Sequence, residues 1–186
     1  MQLSIETNFP DVQRQIDLLA AEVANKATAR ALNRTIELAR TAMSREIRSE
    51  FVIDARYVRD RLRIKRASFY GGVLALQAAL EAQAKPRSAN VIRFGARQVA
   101  QGVSVKIRKS GGRKVIRGAF IGNKGRTVFR RVGKERLPIE PIRTIDVAQM
   151  FNAKRINARV IETIKARFPE VWDRELAYAL AQFNAR

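Results

Sequence analysis

Apolar side chains in the first quarter of the chain recur every three or four residues, which is the spacing of one face of an α-helix. The pattern runs from Val12 to Ile47, and no Gly or Pro interrupts it before Phe51. Asn8-Phe9-Pro10-Asp11 precedes it, and these residue types favour the first turn of a helix. The spacing therefore predicts a helix of roughly 40 residues, on the order of 60 Å long at about 1.5 Å per residue.

Alanine is frequent along the apolar face of this predicted helix. Small side chains let a second helix approach closely, and the predicted length is awkward for a compact monomer. Two interpretations stay open: the helix covers the protein's own sheet, or it packs against another subunit. The alanines concerned are Ala20, Ala21, Ala24, Ala27, Ala29 and Ala31.

Short elements are predicted on both sides of the long helix. Leu3 and Ile5 alternate with polar neighbours within residues 1–7, which predicts a strand. Asp54 is a suitable N-cap for a short helix that runs through Leu62, and the chain continues from there into a strand.

Turn-forming and apolar segments alternate from residue 69 to residue 90. Phe69-Tyr70-Gly71-Gly72 predicts a turn because it contains paired glycines. Val73–Leu80 is apolar and predicts a strand or a buried segment. Lys85–Asn90 contains Pro, Ser and Asn and predicts a loop.

The clearest β-pattern lies in the segment Gly102–Lys109, where apolar and polar residues alternate strictly. Val103, Val105 and Ile107 are predicted on one face, with Ser104, Lys106 and Arg108 on the other. Ser110-Gly111-Gly112 is predicted to turn the chain. Further strand segments follow, separated by Gly118 and by residues 122–125, so we predict an antiparallel meander: Val115-Ile116, Ala119–Ile121 and Thr127–Phe129.

The last part of the chain is predicted to be helical. Asp146 begins a short helix that ends at Phe151, and Asn157–Phe183 has helical periodicity with a kink or a new first turn at Pro169. The predicted fold class is α+β: a long N-terminal helix, a central basic antiparallel sheet or meander, and C-terminal helices. We expect one domain over residues 1–186, with parts at residues 1–53, 54–145 and 146–186.

Composition removes most catalytic chemistries. The 186 residues are 46% hydrophobic, enough for a core, and include no Cys and no His. The common thiol and imidazole nucleophiles, bases and metal ligands are therefore missing, and no acidic pair or phosphate-binding glycine pattern replaces them. We predict no enzyme, cofactor or metal site. We also expect no membrane span and use in a cytoplasm-like compartment.

Positive charge is concentrated in the middle of the chain. The formal net charge of +20 divides into 0 for residues 1–50, +7 for residues 51–100, +11 for residues 101–145 and +2 for residues 146–186. A basic centre between nearly neutral ends indicates one surface for a polyanion, and we expect this polyanion to be nucleic acid.

Three sets of cations are the candidate nucleic-acid-binding residues. A solvated face is the plain alternative for each set, but carboxylates are scarce around them. Aromatic residues nearby lie in apolar contexts, so contact with the phosphate backbone without base readout is expected. The sets are Arg56, Arg59, Arg63, Lys65 and Arg66; Lys106, Arg108, Lys109, Arg113, Lys114 and Arg117; and Lys124, Arg126, Arg130 and Arg131.

Several short motifs resemble the prophage minor tail protein Z family, the tail completion proteins of long-tailed phages. They cover residues from about 20 to 151, while the C-terminal helices match in character only. The motifs are Ala31-Leu32-Asn33, Gly102–Ile107, Arg117–Ile121, Val128–Arg131, Leu137–Glu140 and Val147–Met150.

The resemblance implies a structural virion protein that finishes the head-proximal end of the tail, at the neck, and prepares it for head-tail joining. It implies assembly in the host cytoplasm and contacts with itself in a ring, with the tail terminator, tail tube or tape-measure protein, and with the genome DNA end. It carries over no catalytic residues.

The segment Leu137–Ile142 is the candidate subunit interface, together with the long helix. Its two prolines restrict it to an edge strand or an extended arm, and an unpaired edge invites strand addition. The alternative function, indicated by charge alone, is an autonomous sequence-nonspecific nucleic-acid-binding protein. The interface residues are Leu137, Pro138, Ile139, Pro141 and Ile142.

Overall fold

The structure is a computed structural model, and it describes residues 2–6, 21–70, 73–83 and 88–185. Internal contacts divide the chain into two compact units, between which the chain passes four times. The first unit holds residues 1–43, 62–82 and 157–186, and the second holds residues 44–61 and 83–156. Each unit has its own sheets and its own buried side chains, while the single domain stays a prediction.

Helices and strands occur in the predicted order, so the α+β class is confirmed. The helices are α1 (Ala21–Glu50), α2 (Ala55–Arg59), a 3-10 turn (Val91–Arg93), α3 (Val147–Phe151) and α4 (Lys154–Asn184). The strands are β1 (Gln2–Glu6), β2 (Leu62–Lys65), β3 (Ser68–Tyr70), β4 (Val73–Ala75), β5 (Gln77–Ala82), β6 (Arg97–Val99), β7 (Gly102–Val105), β8 (Lys114–Arg117), β9 (Ala119–Gly122), β10 (Thr127–Arg131) and β11 (Ile139–Pro141).

The first unit contains two small antiparallel sheets. β5 is the central strand of the order β1-β5-β2, and Leu80 on it pairs with Leu3 on one side and Ile64 on the other. β3 and β4 form a separate two-stranded hairpin. The strand predicted in residues 1–7 is thereby confirmed over β1.

The turn predicted at residues 69–72 covers two described residues, and residues 71–72 lie outside the described part of the chain. Phe69 and Tyr70 belong to β3 and pair with Leu74 and Val73 of β4, so their placement in a turn was wrong. The apolar segment that follows is divided between β4 and β5 at Leu76, because the two strands pair with different neighbours.

The long helix α1 buries its alanine-rich face inside the first unit. Ala24, Ala27 and Ala31 have no exposed surface, as expected for the interpretation in which the helix covers its own fold. The described helix has 30 residues. The predicted start at Asn8–Asp11 lies outside the described residues.

Helix α4 contacts α1 through polar groups as well as apolar ones. The indole Nε1–H of Trp172 donates to the hydroxyl of Thr28 over 3.2 Å, and both residues are buried. The Nε of Arg34 lies 2.6 Å from a carboxylate oxygen of the buried Glu175. Pro169 lies inside α4, which excludes a new helix start there.

The second unit contains two three-stranded antiparallel sheets, ordered β6-β7-β8 and β11-β10-β9. The single meander predicted from the strand segments was wrong, because β8 and β9 are consecutive but do not pair. Gly118 between them has φ of +69°, a left-handed conformation that turns the chain from one sheet into the other. The core between the sheets is made of small apolar residues: Val91, Val103, Val105, Ala119 and Val128.

Two side-chain amides bond to the backbone of these sheets: Gln98 joins one sheet to the other, and Asn90 joins the start of the 3-10 turn to β10. Gln98 on β6 donates from Nε2 to the carbonyl of Gly102 over 2.9 Å and accepts from the N–H of Ile121 on β9 over 2.9 Å. Asn90 accepts from the N–H of Val128 over 3.0 Å and donates to its carbonyl over 3.1 Å. The amides therefore take the place of a neighbouring backbone where the strand ladders end.

The predicted alternation of apolar and polar side chains around β7 was wrong for the polar face. β7 ends at Val105, and Ser104 is only 8% exposed instead of facing solvent. β8 also approaches very closely: a Cβ on Gly102 would lie 2.1 Å from the carbonyl oxygen of Ile116, so only glycine fits there. Lys106 is half-buried beyond the end of the strand.

The predicted N-cap Asp54 is confirmed, and Asp146, at the predicted start of a short helix, is the N-cap of α3. Asp54 accepts hydrogen bonds from the N–H groups of Arg56 and Tyr57 at the start of α2, which ends at Arg59, three residues before the predicted Leu62. Asp146 forms a capping box with Gln149 at the start of α3. The starts of these helices are fixed by local hydrogen bonds, which is why the sequence located them.

We expect Thr28→Val to lower the free energy of unfolding by about 1–3 kcal/mol, because the buried indole N–H of Trp172 loses its acceptor. Thr41→Val is the matched control: Thr41 is exposed on the same helix and its hydroxyl bonds only to the Glu37 carbonyl, so its cost should stay within about 0.5 kcal/mol. Urea unfolding followed by fluorescence of Trp172, the single tryptophan, measures both. Equal losses would contradict the assignment.

Candidate nucleic-acid interface and assembly edges

The first predicted set of cations is divided between the two units. Arg56 and Arg59 are exposed on α2 in the second unit, whereas Arg63, Lys65 and Arg66 belong to the first. The set is therefore not one surface of one unit, although helix and strand follow each other directly in the sequence.

Two cations of this set already have carboxylate partners. Lys65 Nζ lies 2.7 Å from Glu81 on the neighbouring strand β5, and Arg66 lies 2.5 Å from Glu37 on α1. A bound phosphate would have to compete with these carboxylates. The first unit therefore offers a phosphate less positive charge than the number of Lys and Arg residues in the sequence indicates.

A compact group of cations around Tyr57 was missed by the sequence analysis. The Arg61 guanidinium lies 3.4 Å from the buried carboxylate of Asp146 and 4.6 Å from the centre of the Tyr57 ring. Arg93 lies 5.0 Å from the same ring. Arg61 and Asp146 are 85 residues apart, so no local pattern could have revealed the pair.

The pKa values near this group follow from burial and hydrogen bonding. Burial raises the pKa of the Tyr57 hydroxyl, and the guanidinium of Arg61 opposes this shift. The backbone N–H of Tyr57, which donates to the cap carboxylate, lowers the pKa of Asp54. A raised pKa keeps the Tyr57 hydroxyl neutral near neutral pH, and a lowered pKa keeps the Asp54 carboxylate ionised.

The second set surrounds the β7–β8 hairpin, and part of it is structural. The guanidinium of Arg113 donates to the Ser104 hydroxyl over 2.9 Å, to the Ser104 carbonyl over 2.9 Å and to the Gly95 carbonyl over 2.6 Å. Arg108 lies over the ring of Phe51 at 5.5 Å. Within the described part of the chain, the side chains of the remaining exposed members have no bonded partner: Lys109, Lys114 and Arg117.

The third set lies on the β9–β10 hairpin. Lys124 and Arg126 occupy a tight turn, in which the N–H of Arg126 donates to the Asn123 carbonyl over 3.1 Å. Arg130 is exposed on β10, and the side chains of these three cations have no bonded partner among the residues that the structure describes. Arg131 instead lies 5.1 Å from the centre of the Phe120 ring.

The aromatic residues beside this hairpin contact each other. The rings of Phe120 and Phe129 stack with centres 5.9 Å apart, and both residues are half-buried. This packing agrees with the predicted phosphate contact without base stacking, because the ring faces are used within the protein.

The edges of the two sheets in the second unit differ in how they are covered. Gln98 joins β6 to β9, so β8 and β11 are the outer edges of these two sheets. Leu137, before β11, is 66% exposed, and Val132 at the end of the same hairpin is 57% exposed. The predicted interface residues Pro138 and Pro141 are exposed as well.

The end of the candidate interface segment turns into the core. Ile142 donates its N–H to Val128 over 2.9 Å and accepts from Val91 over 3.1 Å. Its side chain packs against the core between the sheets, and Ile139 is half-buried. The exposed part of the segment is therefore its beginning, near Leu137.

A family model described as prophage minor tail protein Z (GPZ) matches residues 11–186, nearly the whole chain. The chain belongs to this family. It is therefore a minor structural protein of the phage tail, a component of the virion that contacts other tail components. The match includes α4, so the family relationship extends beyond the residues that carried the sequence resemblance.

Comparison with curated proteins and with solved structures gave no further match. None of the helices that the structure describes is both long enough and apolar enough to cross a membrane. Residues 2–6, 21–70, 73–83 and 88–185 also contain no acidic cluster that could hold a metal ion.

We expect Arg113→Ala to lower the free energy of unfolding by about 1–3 kcal/mol, because its guanidinium satisfies two backbone carbonyls and a buried hydroxyl. The neighbouring Lys114→Ala should change it by no more than about 0.5 kcal/mol. Thermal and urea unfolding of the two variants measure this difference. If Lys114→Ala costs as much as Arg113→Ala, the division into structural and available cations is wrong.

Proposed function

We propose that this tail protein completes the head-proximal end of the tail, as a ring-forming homo-oligomer whose basic surface faces the genome DNA. The observation that carries the proposal is the set of exposed cations without partners on the hairpins of the second unit. Residues 101–145 contain thirteen Lys and Arg against two carboxylates, Glu135 and Glu140. An ordinary soluble surface mixes both signs.

The position of these cations supports contact with phosphates. Lys124 and Arg126 project from a turn and Arg130 from a strand, so none of them lies on a helix that could enter the major groove. Phosphate contacts are insensitive to sequence, and they add up over the copies of a ring. Weak binding by each subunit would suffice to hold a DNA end.

Subunit contact is assigned to the end of the β10–β11 hairpin. Leu137 and Val132 are large apolar side chains that are mostly exposed there, and β11 is an outer strand. Burying them between subunits would remove apolar surface from water. The long helix α1 is the weaker candidate, because its alanine face is already buried in the first unit.

The DNA contact predicts a change in salt dependence. Replacing Lys124, Arg126 and Arg130 together by Ala should make the slope of log binding constant against log salt concentration shallower by about 1 for each phosphate contact removed. Titration of a labelled duplex at several salt concentrations, followed by fluorescence anisotropy, measures the slope.

Arg45→Ala is the control for the DNA experiment. Arg45 is exposed on α1, lies outside the predicted sets and has no bonded side-chain partner within the described residues. Its slope should equal that of the unchanged protein. If the unchanged protein, the triple variant and Arg45→Ala give equal slopes, the proposed DNA contact is wrong, whatever the affinity.

If the protein forms a ring, the association of its copies should depend on Leu137. Mass measurement of the protein alone and with tail tubes should show a defined multimer on tubes, and Leu137→Asp should reduce it at least tenfold. Ile161→Asp is the control, because Ile161 is an exposed apolar residue on α4. A protein that stays monomeric in the presence of tubes, and binds DNA tightly on its own, would support the alternative of an autonomous nucleic-acid-binding protein.

A further inference from the structure

The outer edge of β8 offers unpaired backbone groups. Gly118 donates its N–H to the carbonyl of Gln101, which fixes the alternation of the β7–β8 ladder. Val115 and Arg117 are therefore the β8 residues whose N–H and C=O groups point away from β7. No described strand pairs with this edge. Such an edge is a template for an added strand.

An apolar groove lies beside this edge. Its volume is about 430 Å³, within the range of pockets that enclose ligands. Its walls are Val91, Val105, Ile107 and Ile116, with Arg108 and Lys114 among the residues around them. The groove has room for apolar side chains that enter from a strand lying along β8.

The other face of β8 is basic and partly apolar. Val115 is 47% exposed, and Arg117 is exposed without a bonded side-chain partner among the described residues. The only carboxylates of residues 101–145 belong to the segment from Glu135 to Glu140, which leads into β11. The β7–β8 hairpin therefore carries positive charge that its own sequence does not balance.

We propose that the β8 edge binds an extended acidic segment of another tail component as an added strand. Apolar residues of that segment enter the groove, and the alternate residues are carboxylates that face Arg117. A strand of this kind satisfies the free backbone groups, the apolar groove and the unbalanced charge together.

Two other occupants fit less well. DNA would use the cations but would leave the backbone groups and the apolar groove empty. A second copy that paired through β8 would place like charges opposite each other, which is unfavourable. A separate acidic protein is the partner that uses all three features.

The second outer edge is poorer for strand addition. In β11 the alternation set by the Val132–Pro138 and Ile142–Val128 hydrogen bonds leaves Ile139 and Pro141 facing outward. Pro141 has no N–H to donate. β8 therefore suits an added strand, while the β11 hairpin suits side-chain packing between subunits. The two proposals use different residues and can fail separately.

The probe is a short synthetic peptide in which glutamate and valine alternate, labelled for fluorescence anisotropy with the full-length protein. We expect binding that Arg117→Glu weakens at least tenfold and that Arg45→Glu, an equal charge change on α1, alters less than twofold. Circular dichroism of each variant establishes that it is folded. Equal weakening by the two substitutions would show attraction by net charge and overturn the proposal.

Modified peptides test strand addition without altering the protein. A strand presents its N–H groups to its two edges alternately, so methylating the amides of the glutamates and methylating those of the valines block different edges. One methylated peptide should bind like the parent and the other at least tenfold more weakly. Equal affinities of the two would exclude an added strand.

A peptide with serine in place of valine tests the groove. We expect its affinity to fall at least tenfold, because serine supplies no apolar side chain. If it binds as well as the valine peptide, the surface recognises charge alone, as a DNA-contacting surface would, and the inference is overturned.

Discussion

The second unit depends on packing two three-stranded sheets against each other, because the apolar face of each sheet has to be covered. Three short strands can bury only one face, and here the shared core consists of valines and an alanine. The side-chain amides of Gln98 and Asn90 accept hydrogen bonds from the backbone N–H groups of Ile121 and Val128, where the strand ladders end. The edges of β6 and β9 thereby face each other and are joined through Gln98. The two sheets of the second unit are left with β8 and β11 as outer edges, and both of our proposals for protein contact use them.

The cationic side chains of this protein are of two kinds: those that already contact acceptor groups of the protein, and those that have no such contact. Arg113 holds three acceptors of its own sheet, and Arg61 compensates a buried carboxylate, so neither is available to a polyanion. Lys124 and Arg126, at a turn, have no such partners among the described residues. Desolvation explains the division, because a cation that satisfies buried acceptors is costly to withdraw. The net charge of the chain therefore overstates the charge that a ligand meets.

Membership of the minor tail protein Z family and the exposed surfaces of the protein give different information. The family gives the role of the chain, and the surfaces give the contacts that we propose for it. The family places the chain in the phage tail as a structural component. From the surfaces we propose the chemistry of the neighbours: phosphates at the β9–β10 hairpin, apolar side chains near Leu137, and an acidic strand at β8. An assembly protein needs several specific contacts at once, and separate edges let one small unit provide them without competition.

The sequence alone determined the features that depend on near neighbours along the chain. The period of α1, the caps at Asp54 and Asp146, the α+β class and the family motifs all follow from such spacing. The tertiary structure decided which distant residues meet. It divided the predicted meander at Gly118, buried Ser104 beneath Arg113 and paired Arg61 with Asp146. Periodicity reports which face of a strand or helix is apolar, but the partner of an edge or a charge depends on packing between segments far apart in sequence.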